Sequence, residues 1–320
     1  MVYLSYIFFK EIYYIMNTNK SLNSMQIKYI ISKQDNYQNL NELLKVKFQI
    51  STNLLSKLIN SNSITINNSN CDTRKMYPQS SLLKISFNYE ENSDNIVATK
   101  MNLNIIYEDE WLIIVNKPSG IPIHPSRLHY SDSLSNGIKF YFESIGLKKK
   151  IRPVNRLDLY TSGLVIFAKC EYIQECLIRQ MKKHIFKKSY LALASDRFEK
   201  FDEIINKPIG RKEGSIIERC IDYNNGKQAI THYRVLKEYN DCSLILCTIQ
   251  TGRTHQIRVH MNSIGHPLIG DSLYFKANPN FKGQALHCYK LTFIHPITNN
   301  LITFKTLPLW INFTESLQSL

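Results

Sequence analysis

From Met101 onward the chain reads as a succession of short strands with few helices between them. Trp111 to Val115, Leu164 to Ala168, Tyr190 to Ala194, Thr231 to Leu236 and Leu244 to Ile249 are runs of aliphatic, β-branched and aromatic residues. Two segments break this texture with helical periodicity. Glu171 to Ile185 carries Ile173, Leu177, Met181 and Ile185 at intervals of four, while Arg179, Lys182 and Lys183 project elsewhere. Thr254 to Ile264 sets Ile257, Met261 and Ile264 on one face, with Thr254 as its cap and Gly265-His266-Pro267 ending it. A doubly wound sheet needs a helix after nearly every strand, and this chain does not supply them. The pattern predicts an α+β fold built on a mixed, largely antiparallel β-sheet with flanking helices.

The part before Met101 has a different texture. Leu40, Leu43, Leu44 and Phe48 follow near-helical spacing, and a second helix opens at Ser51, an N-cap, with Leu54, Leu55, Leu58 and Ile59 behind it. Ile64 to Asn67 and the alternating Leu83, Ile85 and Phe87 supply strands. Residues 36–88 therefore form a small helix-helix-strand module, 89–102 its linker and 103–310 the main domain, with 1–30 an N-terminal extension. Val2 to Met16 is apolar, but Lys10 and Glu11 interrupt it and no small-residue cleavage site follows, so it is neither a signal peptide nor a membrane span. Met16 and Met25 leave a later start open.

Charge narrows the partner. The 320 residues hold 40 Lys and Arg against 26 Asp and Glu, a net +14 that favours a polyanion, nucleic acid first. A general bias towards Lys, Asn and Ile would produce the same sign with no partner at all. The seven Cys, at 71, 170, 176, 220, 242, 247 and 288, include no Cys-x-x-Cys pair and no zinc-like Cys/His spacing. A reducing cytoplasm is the expected setting, with no metal, no membrane association and a monomeric state.

Three clusters carry polar chemistry. Arg152-Pro153-Val154-Asn155-Arg156-Leu157-Asp158-Leu159-Tyr160-Thr161-Ser162-Gly163 precedes a strongly apolar strand, so it forms a loop at a sheet edge, where catalytic groups are favoured. On its own Asp158 beside Arg156 also fits an ordinary ion pair. Thr251-Gly252-Arg253-Thr254-His255-Gln256-Ile257-Arg258-Val259-His260 places Arg253 near a helix start suited to phosphate, or is simply a basic helix. His255 and His260 stand five apart, off a common helical face, and read as structural histidines rather than metal ligands. Lys182, Lys183, Lys187 and Lys188 lead to Tyr190, either a solvated basic face or a backbone-tracking stripe ending at a ring for base stacking.

Taken together these segments closely resemble the RluA-type family of RNA pseudouridine synthases. The family's His-Arg-Leu-Asp, two residues, Thr-Ser-Gly is matched by Asn155-Arg156-Leu157-Asp158-Leu159-Tyr160-Thr161-Ser162-Gly163, with Asn155 in place of the usual His. Gly252 to His260 with Gly265-His266-Pro267 matches its second long signature. Val115-Asn116-Lys117-Pro118-Ser119-Gly120, His124-Pro125, Lys188-Ser189-Tyr190-Leu191-Ala192, Thr231-His232-Tyr233, Gln284-Ala285-Leu286-His287 and His295-Pro296 follow in the family's order. Residues 36–88 resemble the alpha-L RNA-binding module that precedes the catalytic domain in several members.

The resemblance implies isomerisation of uridine to pseudouridine in RNA, with no cofactor and no metal. Asp158 would be the carboxylate at the ribose anomeric carbon, Arg258 its guanidinium partner, and Tyr190 the ring that stacks on the base and could take part in proton transfer. Arg156 would fill the space left by a flipped nucleotide. Arg253, Lys182, Lys183 and Lys187 would contact phosphates, and Lys57, the one charge on the second helix of the module, would contact RNA there. Large-subunit ribosomal RNA is the expected substrate ahead of transfer RNA. A non-catalytic RNA-binding protein and a metal-dependent nuclease are the rivals from other classes.

Overall fold

A computed structural model of the chain describes residues 25–312. The apolar run from Val2 to Met16 lies outside them. Residues 25–86 form a four-stranded antiparallel sheet in the order β1-β4-β2-β3, from β1 Gln26–Ile30, β2 Ile64–Ile66, β3 Ser69–Asn70 and β4 Leu82–Ser86. Helices α1 Leu40–Val46 and α2 Thr52–Asn60 connect β1 to β2. Asn39 and Ser51 cap them, each side chain accepting a backbone N–H three residues on, and Leu40, Leu43, Leu44, Leu54, Leu55 and Leu58 are buried. β1 lies ahead of residue 36, where the sequence pattern opens the module. Its half-buried apolar side chains, Ile27 and Tyr29, give too short an alternation to stand out in sequence, and the ladder with β4 reveals the strand.

The main sheet has ten strands: β5 Ile105–Glu108, β6 Leu112–Lys117, β7 Arg152–Pro153, β8 Ser162–Ala168, β9 Lys187–Ser195, β10 Asp202–Asn206, β13 Ile230–Glu238, β14 Cys242–Ile249, β15 Leu286–Ile294 and β16 Leu301–Lys305. β11 Ile209–Arg211 and β12 Arg219–Ile221 form a separate hairpin. The main path runs β10-β13-β14-β9-β15-β8-β6-β5, with β16 on β15 and β7 on β8. Every pairing is antiparallel except β15 with β8. Helices α3 Leu134–Ser144, α4 Glu171–Lys182 and α5 Gln256–Asn262 flank it. The fold is α+β on a mixed, mainly antiparallel sheet.

At the parallel junction Gly163 of β8 sits opposite Cys288 of β15. Its φ is +111°, and a Cβ there would stand 2.4 Å from the Cys288 carbonyl oxygen. Only glycine lets the two backbones approach this closely. From Gly163 to Ala168 every residue of β8 is buried, which explains why that strand reads as a continuous apolar run.

α4 ends at Lys182, three residues before the sequence pattern predicts, because His184 adopts a left-handed φ of 54° and breaks the helix. α5 begins at Gln256 rather than behind a Thr254 cap. No side chain caps it; Gln256 instead braces the preceding loop, its Oε1 accepting from Arg253 N–H at 3.0 Å and Thr251 Oγ1–H at 2.8 Å.

The small sheet is docked on the large one. Phe87 stacks on Tyr172 of α4 with ring centroids 5.3 Å apart and meets Trp111 edge-on at 6.0 Å. Ser51 donates to Glu175 of α4 at 2.6 Å. Between the two sheets, residues 89–102 are a strap held at several points: Arg152 grips Glu91 through two hydrogen bonds of 2.6 and 2.7 Å, and Lys139 donates to the carbonyls of Ser93 and Ile96.

Candidate active site

Residues 152–155 run antiparallel along β8, and 156–161 make the turn at its end. Val154 N–H donates to Ile166 O at 2.8 Å. Asn155, which departs from the His of the motif it resembles, spends its amide on the same strand, donating to Leu164 O at 3.0 Å and accepting Ile166 N–H at 2.9 Å. That is backbone bracing by a side chain, and neutral amide chemistry suffices for it. Asp158 stands in the turn, closed by Thr161 N–H to Asp158 O at 3.1 Å. Buried Lys117 locks the next residue: its ammonium donates to Leu159 O (3.0 Å), Pro118 O (3.0 Å) and Ile121 O (2.7 Å). Burial draws the Lys117 pKa down to about 7, against the pull of the Asp158 charge. Three carbonyl acceptors match the three protons of the charged amine, so we hold that it stays an ammonium in the fold.

Strand order brings the other groups to Asp158. β15 lies between β8 and β9, and Tyr190 on β9 is registered with Cys288 of β15 on one side and Cys247 of β14 on the other. β14 leads through Gln250 to His255 into α5, which supplies Arg258. Arg258 Nη1 donates to Asp158 Oδ2 at 3.2 Å across 100 residues of sequence. Its Nε and Nη2 meet both oxygens of Asp271 at 2.7 and 2.8 Å. Burial opposes the Arg258 charge, but the Asp271 and Asp158 carboxylates more than offset it and hold the guanidinium pKa above its ordinary value. Tyr190 is buried with its pKa pushed well up, by desolvation first and by Cys288 and Asp158 after it, so its phenol stays protonated.

These groups wall a cavity of about 760 Å³, within the range of small-molecule and nucleotide sites. Asp158, Tyr190, Arg258, Arg156, Arg253 and Lys182 all line it. Lys183 and Lys187 do not; both are exposed outside its wall. Lys57 is elsewhere altogether. It pairs with Glu91 of the strap and, at 3.5 Å, with Glu171 of α4, so the one charge of α2 is already engaged by internal carboxylates. Lys188 of the same stripe does line the cavity, and burial lowers its pKa.

Sequence reasoning also missed Asp271 and His255. Asp271 is 1% exposed and clamps Arg258, yet it follows Gly270 in a segment with no helical or strand pattern to mark it. His255 read as structural, as His260 is, between Thr231 Oγ1 and Lys207 O at 2.9 Å each. His255 instead lines the cavity, its Nε2 3.9 Å from Asp158 Oδ2. Among the described residues no three His, Cys, Asp or Glu gather into a metal site, and no helix is long and apolar enough to cross a membrane.

The sequence model of the family described as RNA pseudouridylate synthase matches residues 111–263, the span that holds Asp158, Tyr190 and Arg258. The Bacillus subtilis (strain 168) protein called uncharacterized RNA pseudouridine synthase YjbO is 35% identical over 256 residues, 80% of this chain and 90% of its own length. This chain belongs to the RNA pseudouridylate synthase family. As a pseudouridine synthase it is an isomerase acting on RNA. Ribosomal large subunit pseudouridine synthase D of Nitrosomonas europaea is 36% identical over 225 residues, covering 68% of this chain and 65% of that protein. Among solved structures, human RNA pseudouridylate synthase domain containing 1 superposes with a TM-score of 0.56 at 25% identity over 72% of this chain and 90% of the human one.

Proposed function

We propose that this synthase isomerises a uridine of large-subunit ribosomal RNA, with Asp158 as the carboxylate that meets the ribose anomeric carbon. The observation that carries the assignment is the line Asp158, Arg258, Asp271: an acid open to the cavity, fixed by an arginine that a second, fully buried acid fixes in turn. The reaction breaks N1–C1′ and makes C5–C1′; N1 gains a proton and C5 loses one, so the atoms balance with no redox partner. An ionised carboxylate suits the electron-poor C1′ of the transition state, and Arg258 keeps it ionised and oriented.

Tyr190 serves as a neutral ring against the uracil. Its burial and raised pKa favour stacking over service as a phenolate base. A paired uridine must leave its helix to reach this cavity, and exposed Arg156, next to the catalytic turn, is placed to occupy the gap. Arg253, Lys182 and Lys188 along the wall suit phosphates. Ribosomal RNA is favoured because relatives at 36% identity carry the name ribosomal large subunit pseudouridine synthase D.

Replacing Asp158 with Ala is expected to abolish pseudouridine formation while RNA affinity stays within about threefold; an active Asp158→Ala enzyme would sink the assignment. Mapping pseudouridines in total RNA from cells with and without the gene tests the substrate. Loss of a large-subunit ribosomal site supports it, and loss confined to transfer RNA overturns it.

A further inference from the structure

The two oxygens of the Asp158 carboxylate are not equivalent. Arg258 Nη1 and His255 Nε2 both approach Oδ2, at 3.2 and 3.9 Å. Among the described residues none donates a hydrogen bond to Oδ1.

Local hydrogen bonding suits one tautomer of His255. Tyr274 Oη lies 2.8 Å from Nδ1, and the same oxygen accepts the backbone N–H of Arg219 at 2.8 Å. The phenol proton is free to point at Nδ1, and in that arrangement Nδ1 accepts and the ring proton sits on Nε2, the side facing Asp158. Burial lowers the His255 pKa, against the pull of Asp158, so the ring is neutral near pH 7. The residue is also held in a left-handed conformation, φ 58°, uncommon for a side chain with a Cβ. Gln256 secures that backbone through Thr251 and Arg253.

We infer that His255 is a positioning residue, a neutral Nε2–H donor that joins Arg258 in holding Oδ2 and so presents Oδ1 to the ribose. The inference rests on Asp158 being the reacting carboxylate. At 3.9 Å the contact is longer than a hydrogen bond, as such contacts commonly are before substrate binds. Two donors on one oxygen leave the carboxylate a single orientation about its own axis, and they keep the electron density of Oδ1 undivided for C1′.

Two amide substitutions separate this role from a structural one. His255→Asn keeps an acceptor where Nδ1 stands, and with it the bond from Tyr274, but removes the donor to Asp158. His255→Gln does the reverse, its amide nitrogen reaching the Nε2 position. In single-turnover assays with saturating substrate RNA, the Asn enzyme is expected to lose about tenfold or more in rate and the Gln enzyme about threefold or less, with RNA affinity unchanged in both. A purely structural His255 gives the opposite order. That order, equal rates for the two variants, or a parallel loss of RNA affinity overturns the inference. Should thermal melts show His255→Asn unfolded, Tyr274→Phe decides: a slower chemical step at unchanged RNA affinity is expected, and a wild-type rate refutes the role. Activity in Asp158→Ala would discredit the carboxylate assignment itself. A dead Asp158→Ala beside a fast His255→Asn removes only the role of His255.

Discussion

Asp271 forms no part of the cavity wall, yet the orientation of Arg258 depends on it. Its two oxygens take Nε and Nη2, so the guanidinium plane is set and only Nη1 is left to reach Asp158. Asp271→Asn keeps the shape but can accept at only one of those positions and turns an N–H donor towards the other. The expected result is a loss of about tenfold or more in single-turnover rate, with RNA affinity within about twofold of wild type. A rate change smaller than the change in affinity would show that Asp271 serves folding alone. Asp158, Tyr190 and Arg258 could be named from sequence because each sits in a recognisable run. Asp271 could not, since its partner is thirteen residues away on a different element and no periodicity joins them. Lys57 and Lys187 show a related limit: composition gives a lysine its charge, but only packing shows whether an internal carboxylate already pairs with it or whether it lies off the cavity wall.

At the scale of elements, α2 and the strap behind it behave as part of the catalytic body. The Glu91 carboxylate is buried at the meeting point of Arg152 and Lys57, and although desolvation works against its charge, the bonds from Arg152 and Lys57 hold its pKa below the ordinary glutamate value. Glu91→Ala leaves Arg152 buried without a counter-ion. Urea melts of that variant are expected to show about 3–5 kcal/mol of lost stability, while Lys57→Ala, half exposed, loses about 1 kcal/mol or less. Equal effects would mean that the strap is not an anchor. The helices and strands around this joint were readable from caps and alternation, Ser51 and Leu83-Ile85-Phe87 among them. The joint was not: a polar, turn-rich segment looks like a loose linker until its carbonyls and its one buried acid find partners from distant residues.

For the molecule as a whole, His287 ties acid stability to the parallel junction at the catalytic loop. It accepts from Ser162 Oγ–H through Nδ1 at 2.8 Å and donates through Nε2 to Thr306 O at 3.0 Å, and burial lowers its pKa from 6.5 to about 4. Above pH 6.5 the ring is neutral folded or unfolded, and its contribution to stability is complete. As pH falls from there towards 4, the unfolded chain takes up a proton that the fold refuses, so stability declines by on the order of 3 kcal/mol. Chemical melts at about pH 7 and about pH 5 should show that slope in the wild type and a flatter one in His287→Gln, and identical slopes would remove His287 as the cause. The strand that carries His287 also governs when the enzyme comes into being. β15 is what β8 and β9 both pair with, so the turn bearing Asp158 and the strand bearing Tyr190 have no fixed relation until residues 286–294 have been made and threaded between them. During synthesis the chain therefore has to run from Asp158 to Leu286 before the cavity around that carboxylate can be completed.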